Sequence, residues 1–156
     1  MNGCFGCDPV NTAGLGMTFS VDGQGRLAAQ CTPTQAHRGL GRVVNGGLVT
    51  TFAEELAAAA AGAKGDGGLV VTHIEVTYER PAYVDAALRG VVTSTVRENK
   101  AVTVSVDVVN DAGRVAVLDA TFLLISDERL RAIAGIGVDE GPACLLAGRR
   151  LLPAEA

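Results

Sequence analysis

One segment predicts the centre of the fold: NGGLVTTFAEELAAAAAG, residues 45–62. From Leu48 to Ala61 it contains neither proline nor glycine, and it ends in a run of alanines, the residue with the highest helix propensity. Asn45 is a favoured N-cap, so we expect a helix at about residues 46–62, about 25 Å long. Apart from two threonines and two glutamates the helix is apolar on nearly all sides, so we expect it to be buried.

Runs with the character of β-strands lie on both sides of this helix. Before it, residues 17–21 and 26–32 flank the turn-forming tetrapeptide DGQG, which predicts a hairpin. After it, the last two runs are antiparallel neighbours, because the turn NDAG separates them, and valines alternate with polar residues in the first of the two. The four strand-like runs after the helix lie at about residues 69–80, 86–98, 101–110 and 114–126. The predicted fold is α+β, a curled antiparallel β-sheet wrapped around one long helix.

The length of 156 residues fits a single domain with one sizeable core. We expect this domain to span residues 1–126, beginning with an irregular lead-in at residues 1–16 that is rich in Gly, Pro and Asn. Residues 127–156 are expected to form a C-terminal extension, with a short helix at about residues 127–137 followed by a tail.

Composition excludes several classes of protein. With 48% hydrophobic residues and a net charge of −4 the chain is not disordered, and its scattered positive residues offer no basic face to nucleic acid. No apolar run reaches the roughly 18 residues that a membrane span needs, because Glu54 and Glu55 interrupt the longest candidate. The first residues lack the basic and apolar segments of a signal peptide. We expect a soluble, cytoplasmic protein with neither nucleic acid nor a membrane as its partner.

The cysteines point to no metal site. Of the four, Cys4, Cys7, Cys31 and Cys144, only the first two have the spacing of metal ligands. A zinc site needs a second CxxC pair or a His pair, and the sequence has neither. A redox dithiol at the first pair is the other possibility, although no strand precedes it and proline and glycine break any helix after it. We expect reduced thiols, some of them buried.

The two glutamates of the predicted helix are its most informative residues. Burying an uncompensated carboxylate is costly, so such a group shifts its pKa or lines a wet cavity. Glu54 and Glu55 are adjacent and point about 100° apart around the helix, so both cannot face one site. One of them is expected to be functional and the other exposed or paired. The alternative is that both lie on an exposed edge of the helix.

The start of the helix, Asn45-Gly46-Gly47, has the features of an oxyanion site. The first amides of a helix have no acceptor within the helix and carry the positive end of its dipole. Two glycines allow a ligand oxygen to approach these N–H groups closely. Acyl transfer needs such donors when a carbonyl oxygen gains negative charge. The alternative is that Asn45 is a plain N-cap and the glycines form a tight connection to the helix.

Several segments resemble one family. HRGLGRVVNGGL at residues 37–48, followed by TFAEE at residues 51–55, resembles the loop and central helix of hotdog-fold acyl-CoA thioesterases of the PaaI-like and 4-hydroxybenzoyl-CoA type. Other segments similar to such proteins are CFGC with GLG, YERP and DAGR, at residues 4–7, 14–16, 78–81 and 111–114. Together the segments cover residues 4–126 in the right order.

The resemblance implies an activity and a site. The family motif is His-Gly-Gly with an Asp or Glu nine residues after the His, and Glu54 holds that position. By this resemblance the Gly46 N–H polarises the thioester carbonyl, and Glu54 acts as a general base on water or as a nucleophile. No metal or organic cofactor is implied, since coenzyme A is part of the substrate. A homodimer, in which the carboxylate often comes from the other subunit, or a homotetramer is implied.

The chain departs from the family at two positions. Asn45 stands where the motif has His, and Gly39 stands where some members carry a side-chain amide. Asn45 caps the helix or donates a hydrogen bond to the substrate, but an amide does not titrate as an imidazole does. A non-hydrolytic acyl-thioester binding protein is therefore the alternative function. A hydratase or dehydratase is less favoured, because the sequence shows no Asp and His pair in the arrangement of those enzymes.

Further residues are candidates for binding the substrate. Gly47 gives a ligand room at the helix start, His37 lies in the preceding loop, and Thr72 is placed to orient water. Three cations are candidates for the phosphates of coenzyme A: Arg80, Arg97 and Lys100. The alternatives are a plain loop histidine for His37 and solvated surface charge for the cations. The acyl group, and the choice between coenzyme A and a carrier protein, stay open.

Overall fold

A computed structural model describes residues 4–63 and 67–135 of the chain. Within them the sheet has six strands, all paired antiparallel, in the order β1-β2-β4-β5-β6-β3. The elements in chain order are β1 (Thr18–Val21), β2 (Leu27–Cys31), a 3-10 turn (Gln35–His37), α1 (Gly46–Ala63), β3 (Gly68–Tyr78), β4 (Leu88–Glu98), β5 (Ala101–Asn110), β6 (Gly113–Ile125) and α2 (Asp127–Ala134). The predicted α+β fold, an antiparallel sheet around a long helix, is confirmed.

Helix α1 lies against the concave face of the sheet and forms the core with it. Phe52 and Leu56 are fully buried, and so are Val104 and Val106 of β5, the strand opposite the helix. A Cβ atom at Gly90 of β4 would lie 2.8 Å from Leu56 Cδ2 and 3.0 Å from Phe52 Cε1. Glycine at this position and the alanines of α1 therefore allow the helix to lie close to the sheet.

The turns confirm the expected hairpins. In the turn between β1 and β2, Asp22 Oδ1 accepts hydrogen bonds of 2.9 Å from the N–H groups of Gln24 and Arg26. These bonds and the Arg26 side chain lower the pKa of Asp22. In the turn between β5 and β6, Asn110 Oδ1 accepts from the Ala112 N–H at 2.9 Å. Short polar side chains thus close both turns, as is usual for Asp and Asn.

Two details differ from the predicted elements. The pairing of β3 with β6 shifts register between Val71 and His73, so Thr72 lies at a bulge within this strand. Helix α2 ends at Ala134 because Gly135 adopts a left-handed conformation with φ 67° and caps it. The rest of the predicted C-terminal extension, including Cys144, lies outside the described residues, and its separation from the domain stays a prediction.

The described part of the lead-in is irregular, and it packs against the core. The Leu15 N–H donates to Phe5 O and the Met17 N–H donates to Gly6 O, both at 2.8 Å. Leu15 and Met17 are buried. The segment from Phe5 to Met17 is therefore a folded part of the domain. Among the described helices, none is long and apolar enough to cross a membrane.

Candidate active site

Asn45 is the N-cap of α1, as one interpretation of the sequence expected. Its side-chain Oδ1 accepts a hydrogen bond of 2.8 Å from the Gly47 N–H, and its backbone oxygen accepts one of 3.0 Å from the Leu48 N–H. Asn45 thus satisfies amides in the first turn that have no partner within the helix. A Cβ atom at Gly39 would lie 3.2 Å from Asn45 Cα, so the preceding loop runs close to the cap residue.

Gly46 presents its backbone amide at the start of α1. Within residues 4–63 and 67–135 the Gly46 N–H donates no hydrogen bond, whereas the Gly47 N–H is held by Asn45. Gly46 is exposed. An exposed amide at the positive end of a helix dipole is a donor for an oxygen that carries negative charge. Of the two glycines, Gly46 is therefore the one that can polarise a carbonyl.

Tyr78, at the end of β3, holds the first turn of α1, a role that the sequence did not reveal. Its hydroxyl donates a hydrogen bond of 2.9 Å to Gly46 O and lies 2.5 Å from Thr50 Oγ1. The residue is 49% exposed. The YERP segment, residues 78–81, was noted in the sequence as similar to the family. That similarity assigned no role to the tyrosine.

A cleft of about 380 Å³ opens beside Gly46. Its walls include the apolar side chains of Val49 and Val115, and Tyr78 and Arg80 also line it. The Arg80 side chain reaches the start of β6, where its Nη1 donates a hydrogen bond of 3.5 Å to Arg114 O. The cleft therefore combines an amide donor, a phenol hydroxyl and a cation around an apolar centre, as small-molecule sites do.

The structure gives the two glutamates of α1 different surroundings. Glu54 is half-buried, and the carboxylate forms no hydrogen bond or ion pair within the described residues. Desolvation raises the pKa of Glu54, and the nearby Cys4 raises it further. Glu55 faces the lead-in, where Cys4 Sγ lies 3.9 Å from Glu55 Oε2. Glu54 is therefore the carboxylate with the properties of a catalytic base.

Gly46 and Glu54 do not meet within one chain. Eight residues separate them on α1, which corresponds to a rise of about 12 Å along the helix. A donor to a carbonyl oxygen and a base acting at the same carbonyl must both lie within about 3 Å of the reacting atoms. Within one copy of α1, the Gly46 amide and the Glu54 carboxylate are therefore not placed to act on the same carbonyl.

His37 has a structural role in this arrangement. The ring is 4% exposed, Nδ1 accepts from the Thr34 N–H at 3.0 Å, and Nε2 lies 3.2 Å from Ala13 O. Because Nδ1 accepts, the proton is assigned to Nε2, which donates to Ala13. Both ring nitrogens are therefore engaged with the backbone, and His37 ties the lead-in to the loop before α1.

The remaining substrate-binding candidates lie apart from the cleft. Thr72 Oγ1 donates to Thr121 O at 3.1 Å. Lys100 and Arg97 line a second cleft of about 450 Å³. That cleft borders Leu123 of β6, whereas Val115 of the same strand borders Gly46, so about 26 Å separates the two along the strand. Among the three candidate cations, Arg80 thus lines the cleft beside Gly46, whereas Arg97 and Lys100 line the other cleft.

Comparison with known proteins matches about half of the chain to one family. A family model described as the thioesterase superfamily matches residues 41–117, which contain Asn45, Gly46 and Glu54. No match was found among curated proteins.

Solved structures share the fold. AziG of S. sahachiroi is 24% identical, with a TM-score of 0.60 over 72% of this chain and 93% of that one. The E. coli PaaI protein from the phenylacetic acid degradation operon is 17% identical, with a TM-score of 0.61 over 72% and 81%. A mutant of the phenylacetic acid degradation protein PaaI from Thermus thermophilus is 23% identical, with a TM-score of 0.64 over 76% and 100%.

The fold is thus that of the hotdog proteins. Residues 41–117 match the thioesterase superfamily, and the chain is similar to hotdog-fold thioesterases of the PaaI-like type. The resemblance seen in the sequence is confirmed, and these matches support thioester hydrolysis as the general class of reaction.

Proposed function

We propose that the protein hydrolyses an acyl-CoA, or the thioester of an acyl carrier protein, to a free acid and a thiol. The observation that carries this proposal is the exposed Gly46 amide, which has no acceptor in the described chain and opens on an apolar cleft. The helix dipole strengthens this donor. A small-molecule thioester is the expected partner, and the site needs neither a metal nor an organic cofactor. The cytoplasm is the proposed location, since free thiols such as Cys31 suit a reducing compartment.

Polarisation of the carbonyl is the first step. The thioester oxygen accepts a hydrogen bond from the Gly46 N–H, and this bond strengthens as the oxygen gains negative charge in the transition state. Tyr78 holds the residue that carries this donor, because its hydroxyl binds Gly46 O in the following peptide unit. Arg80, at the same cleft, offers a positive charge to the phosphates of a coenzyme A or a carrier-protein arm.

Glu54 supplies the second step by one of two routes. As a general base, the carboxylate takes a proton from water, the hydroxide adds to the carbonyl carbon, and the C–S bond breaks to release the thiol. As a nucleophile, the carboxylate adds to the same carbon, releases the thiol, and water then hydrolyses the mixed anhydride. A single turnover in ¹⁸O-water separates them, because only the second route puts the label into Glu54.

We also propose that the working unit is a homodimer, alone or as half of a homotetramer. Because a rise of about 12 Å separates Gly46 and Glu54 along one helix, the proposed site pairs Glu54 of one copy with Gly46 of another. Strand β3 supports this assembly, since within the described chain it pairs only with β6 and ends the sheet. Its exposed residues include Val71 and Ile74, and proteins normally cover or pair the unpaired edge of a sheet.

Subunit complementation tests the shared site. Gly46→Pro removes the N–H donor, and Glu54→Gln removes the base, so each homodimer is inactive. In a mixed dimer, one of the two sites has both groups intact, so co-refolding equal amounts should restore about a quarter of the wild-type rate. Two inactive proteins that stay inactive after mixing, although mass spectrometry shows mixed dimers, would refute the shared site.

Hydrolysis itself is tested with short, medium, long-chain and aryl acyl-CoAs. Loss of the thioester absorbance is followed, so that the protein's own thiols do not interfere. Glu54→Gln should lower the rate by about 10²-fold or more, as for loss of a general base, whereas the matched Glu55→Gln should stay within about threefold. Equal rates for Glu54→Gln and the wild type would remove Glu54 from the mechanism.

A non-hydrolytic acyl-thioester binding protein is the second candidate function. Asn45 favours it, because Asn45 replaces the motif histidine and its side chain is occupied by the helix cap. Under this alternative a non-hydrolysable acyl-CoA analogue binds tightly while no thioester of the panel is consumed. Calorimetry with the analogue, next to the absorbance assay, distinguishes the two functions.

A further inference from the structure

The lead-in brings two thiols together on the surface of α1. The Asp8 N–H donates to Cys4 O at 3.2 Å, which closes a turn around the CxxC segment. Within this turn the Cys7 thiol donates to Cys4 Sγ, and the two sulfurs are 3.3 Å apart. The backbone bonds of Phe5 and Gly6 to residues 15 and 17 hold the turn in place. The two thiols are therefore kept adjacent by folded structure.

Cys4 and Cys7 differ from the other cysteine that the structure describes. Both are half-buried, so small reagents reach them. Cys31 lies in the core at 5% exposure, and desolvation raises its pKa to about 12. Because the thiolate is the reactive form of cysteine, Cys31 is unreactive near neutral pH. Among the described residues, thiol chemistry is thus confined to the first pair.

The same turn touches α1 at Glu55, the residue next to the proposed base. Cys4 Sγ lies 4.0 and 3.9 Å from the two carboxylate oxygens of Glu55. A Cβ atom at Gly6 would lie 2.7 Å from Glu55 Cδ, so the backbone between the cysteines packs directly on this side chain. Glu54, the next residue, is within electrostatic reach of Cys4. A movement of the turn is therefore transmitted to the part of α1 that carries the base.

We propose that Cys4 and Cys7 are a reversible dithiol–disulfide pair, a covalent modification site whose closure shifts the lead-in against Glu55 and slows the reaction at Glu54. The effect on rate rests on the proposed function. A disulfide requires an S–S distance of about 2.05 Å, whereas the sulfurs are 3.3 Å apart. Closure must bring the two sulfurs about 1.2 Å closer together, and this movement acts on the Cys4 side chain that contacts Glu55.

The oxidant is a low-molecular-weight disulfide such as oxidised glutathione. The thiolate of one cysteine attacks it, forms a mixed disulfide and releases one small thiol. The other cysteine then displaces the second small thiol and closes the protein disulfide. Two protein thiols are oxidised, one small disulfide is reduced to two thiols, and the cysteine protons end on the released thiols. Reduced glutathione in excess reverses the reaction.

The test uses the full chain with Cys144→Ser, equilibrated in glutathione buffers of graded potential. Intact mass should fall by about two units on oxidation, and peptide mapping should show a link between Cys4 and Cys7. The hydrolysis rate should fall by about threefold or more with the same midpoint, and reductant should restore it. Hydrogen exchange of the α1 peptide around Glu55 should change over the same range.

Matched variants separate this pair from other thiols. Cys4→Ser and Cys7→Ser should each abolish the loss of two mass units and the redox response of the rate, whereas Cys31→Ala should retain both. An unchanged mass in the most oxidising buffer would overturn the proposal. The proposal would also be overturned if the disulfide formed fully and the oxidised and reduced proteins had the same hydrolysis rate and the same hydrogen exchange in α1. If the reduced protein hydrolyses no thioester, the proposed function fails. The intact mass and the hydrogen exchange of the α1 peptide then still decide whether disulfide formation between Cys4 and Cys7 alters α1.

Discussion

The hydroxyl of Tyr78 donates a hydrogen bond of 2.9 Å to the carbonyl oxygen of Gly46, and this bond links the last residue of β3 to the first residue of α1. The same hydroxyl also meets Thr50 Oγ1. Through these contacts the edge strand fixes the orientation of the peptide that begins the helix. The first turn of α1, next to the Gly46 N–H, is therefore held by tertiary contact as well as by the cap.

Tyr78→Phe removes both contacts and keeps the ring. We expect kcat to fall by about three- to tenfold, because the Gly46 peptide loses its anchor, and the free energy of unfolding to fall by about 1 kcal/mol. Steady-state kinetics and urea unfolding measure the two effects. Tyr83→Phe is the matched control, because Tyr83 packs its ring under Arg42 away from Gly46. A wild-type kcat for Tyr78→Phe would show that the anchor is not needed.

Gly46→Pro isolates the contribution of one N–H group. Gly46 is the first residue of α1, where proline is well tolerated since its missing N–H has no partner in the helix. We expect kcat to fall by about 10²–10³-fold, as for removal of an oxyanion donor, with an almost unchanged unfolding midpoint.

Gly46→Ala is the control for that substitution. It keeps the N–H, and its Cβ would meet Tyr78 at 3.5 Å, an ordinary contact distance. Alanine should therefore retain most of the activity. Equal losses for the two variants would mean that space at position 46, and not its amide, is what catalysis requires.

The raised pKa of Glu54 predicts a dependence of rate and stability on pH. The base acts when it is deprotonated, so kcat/KM should rise with pH through an apparent pKa above the ordinary glutamate value of 4.5. The folded protein binds this proton more tightly than the unfolded chain does. Stability from this group is therefore greatest at low pH and is lost as pH rises through the folded pKa.

Glu54→Gln removes this titration and is expected to be more stable than the wild type at neutral pH. The advantage should shrink as pH falls below the ordinary glutamate pKa, where the wild-type carboxyl is protonated in both states. Urea unfolding across this pH range measures it. A Glu54→Gln protein that is less stable than the wild type at neutral pH would contradict the desolvation of this carboxylate.

Gly90→Ala tests the close approach of α1 to the sheet. Its Cβ would lie 2.8 Å from Leu56 Cδ2 and 3.0 Å from Phe52 Cε1, so overpacking should cost about 1–3 kcal/mol of unfolding free energy. Gly23→Ala is the control, because nothing lies within 4 Å of a Cβ there. Denaturant unfolding of both variants gives the comparison, and equal stabilities would show that the helix moves away without cost.

The sequence predicted the helix and the strands well because their signals are local. Asn45 and the alanine run placed α1 at residues 46–62, against Gly46–Ala63 in the structure. Contacts between distant residues were missed. Tyr78 and Gly46 are 32 positions apart, and no spacing rule joins a strand end to a helix start. His37 was a substrate-binding candidate, yet its surroundings depend on Ala13, which belongs to a lead-in whose packing the sequence did not reveal.

The packing of the lead-in also sets a limit for protein engineering. A shortened protein that starts at Met17 retains every strand of the described sheet, so by secondary structure alone it would pass as a minimal domain. It would nevertheless lose Ala13, the acceptor for His37, and Gly6, which covers Glu55. Removing the lead-in would therefore expose His37 and Glu55, which it shields from water. An affinity tag is better added before the lead-in than put in its place.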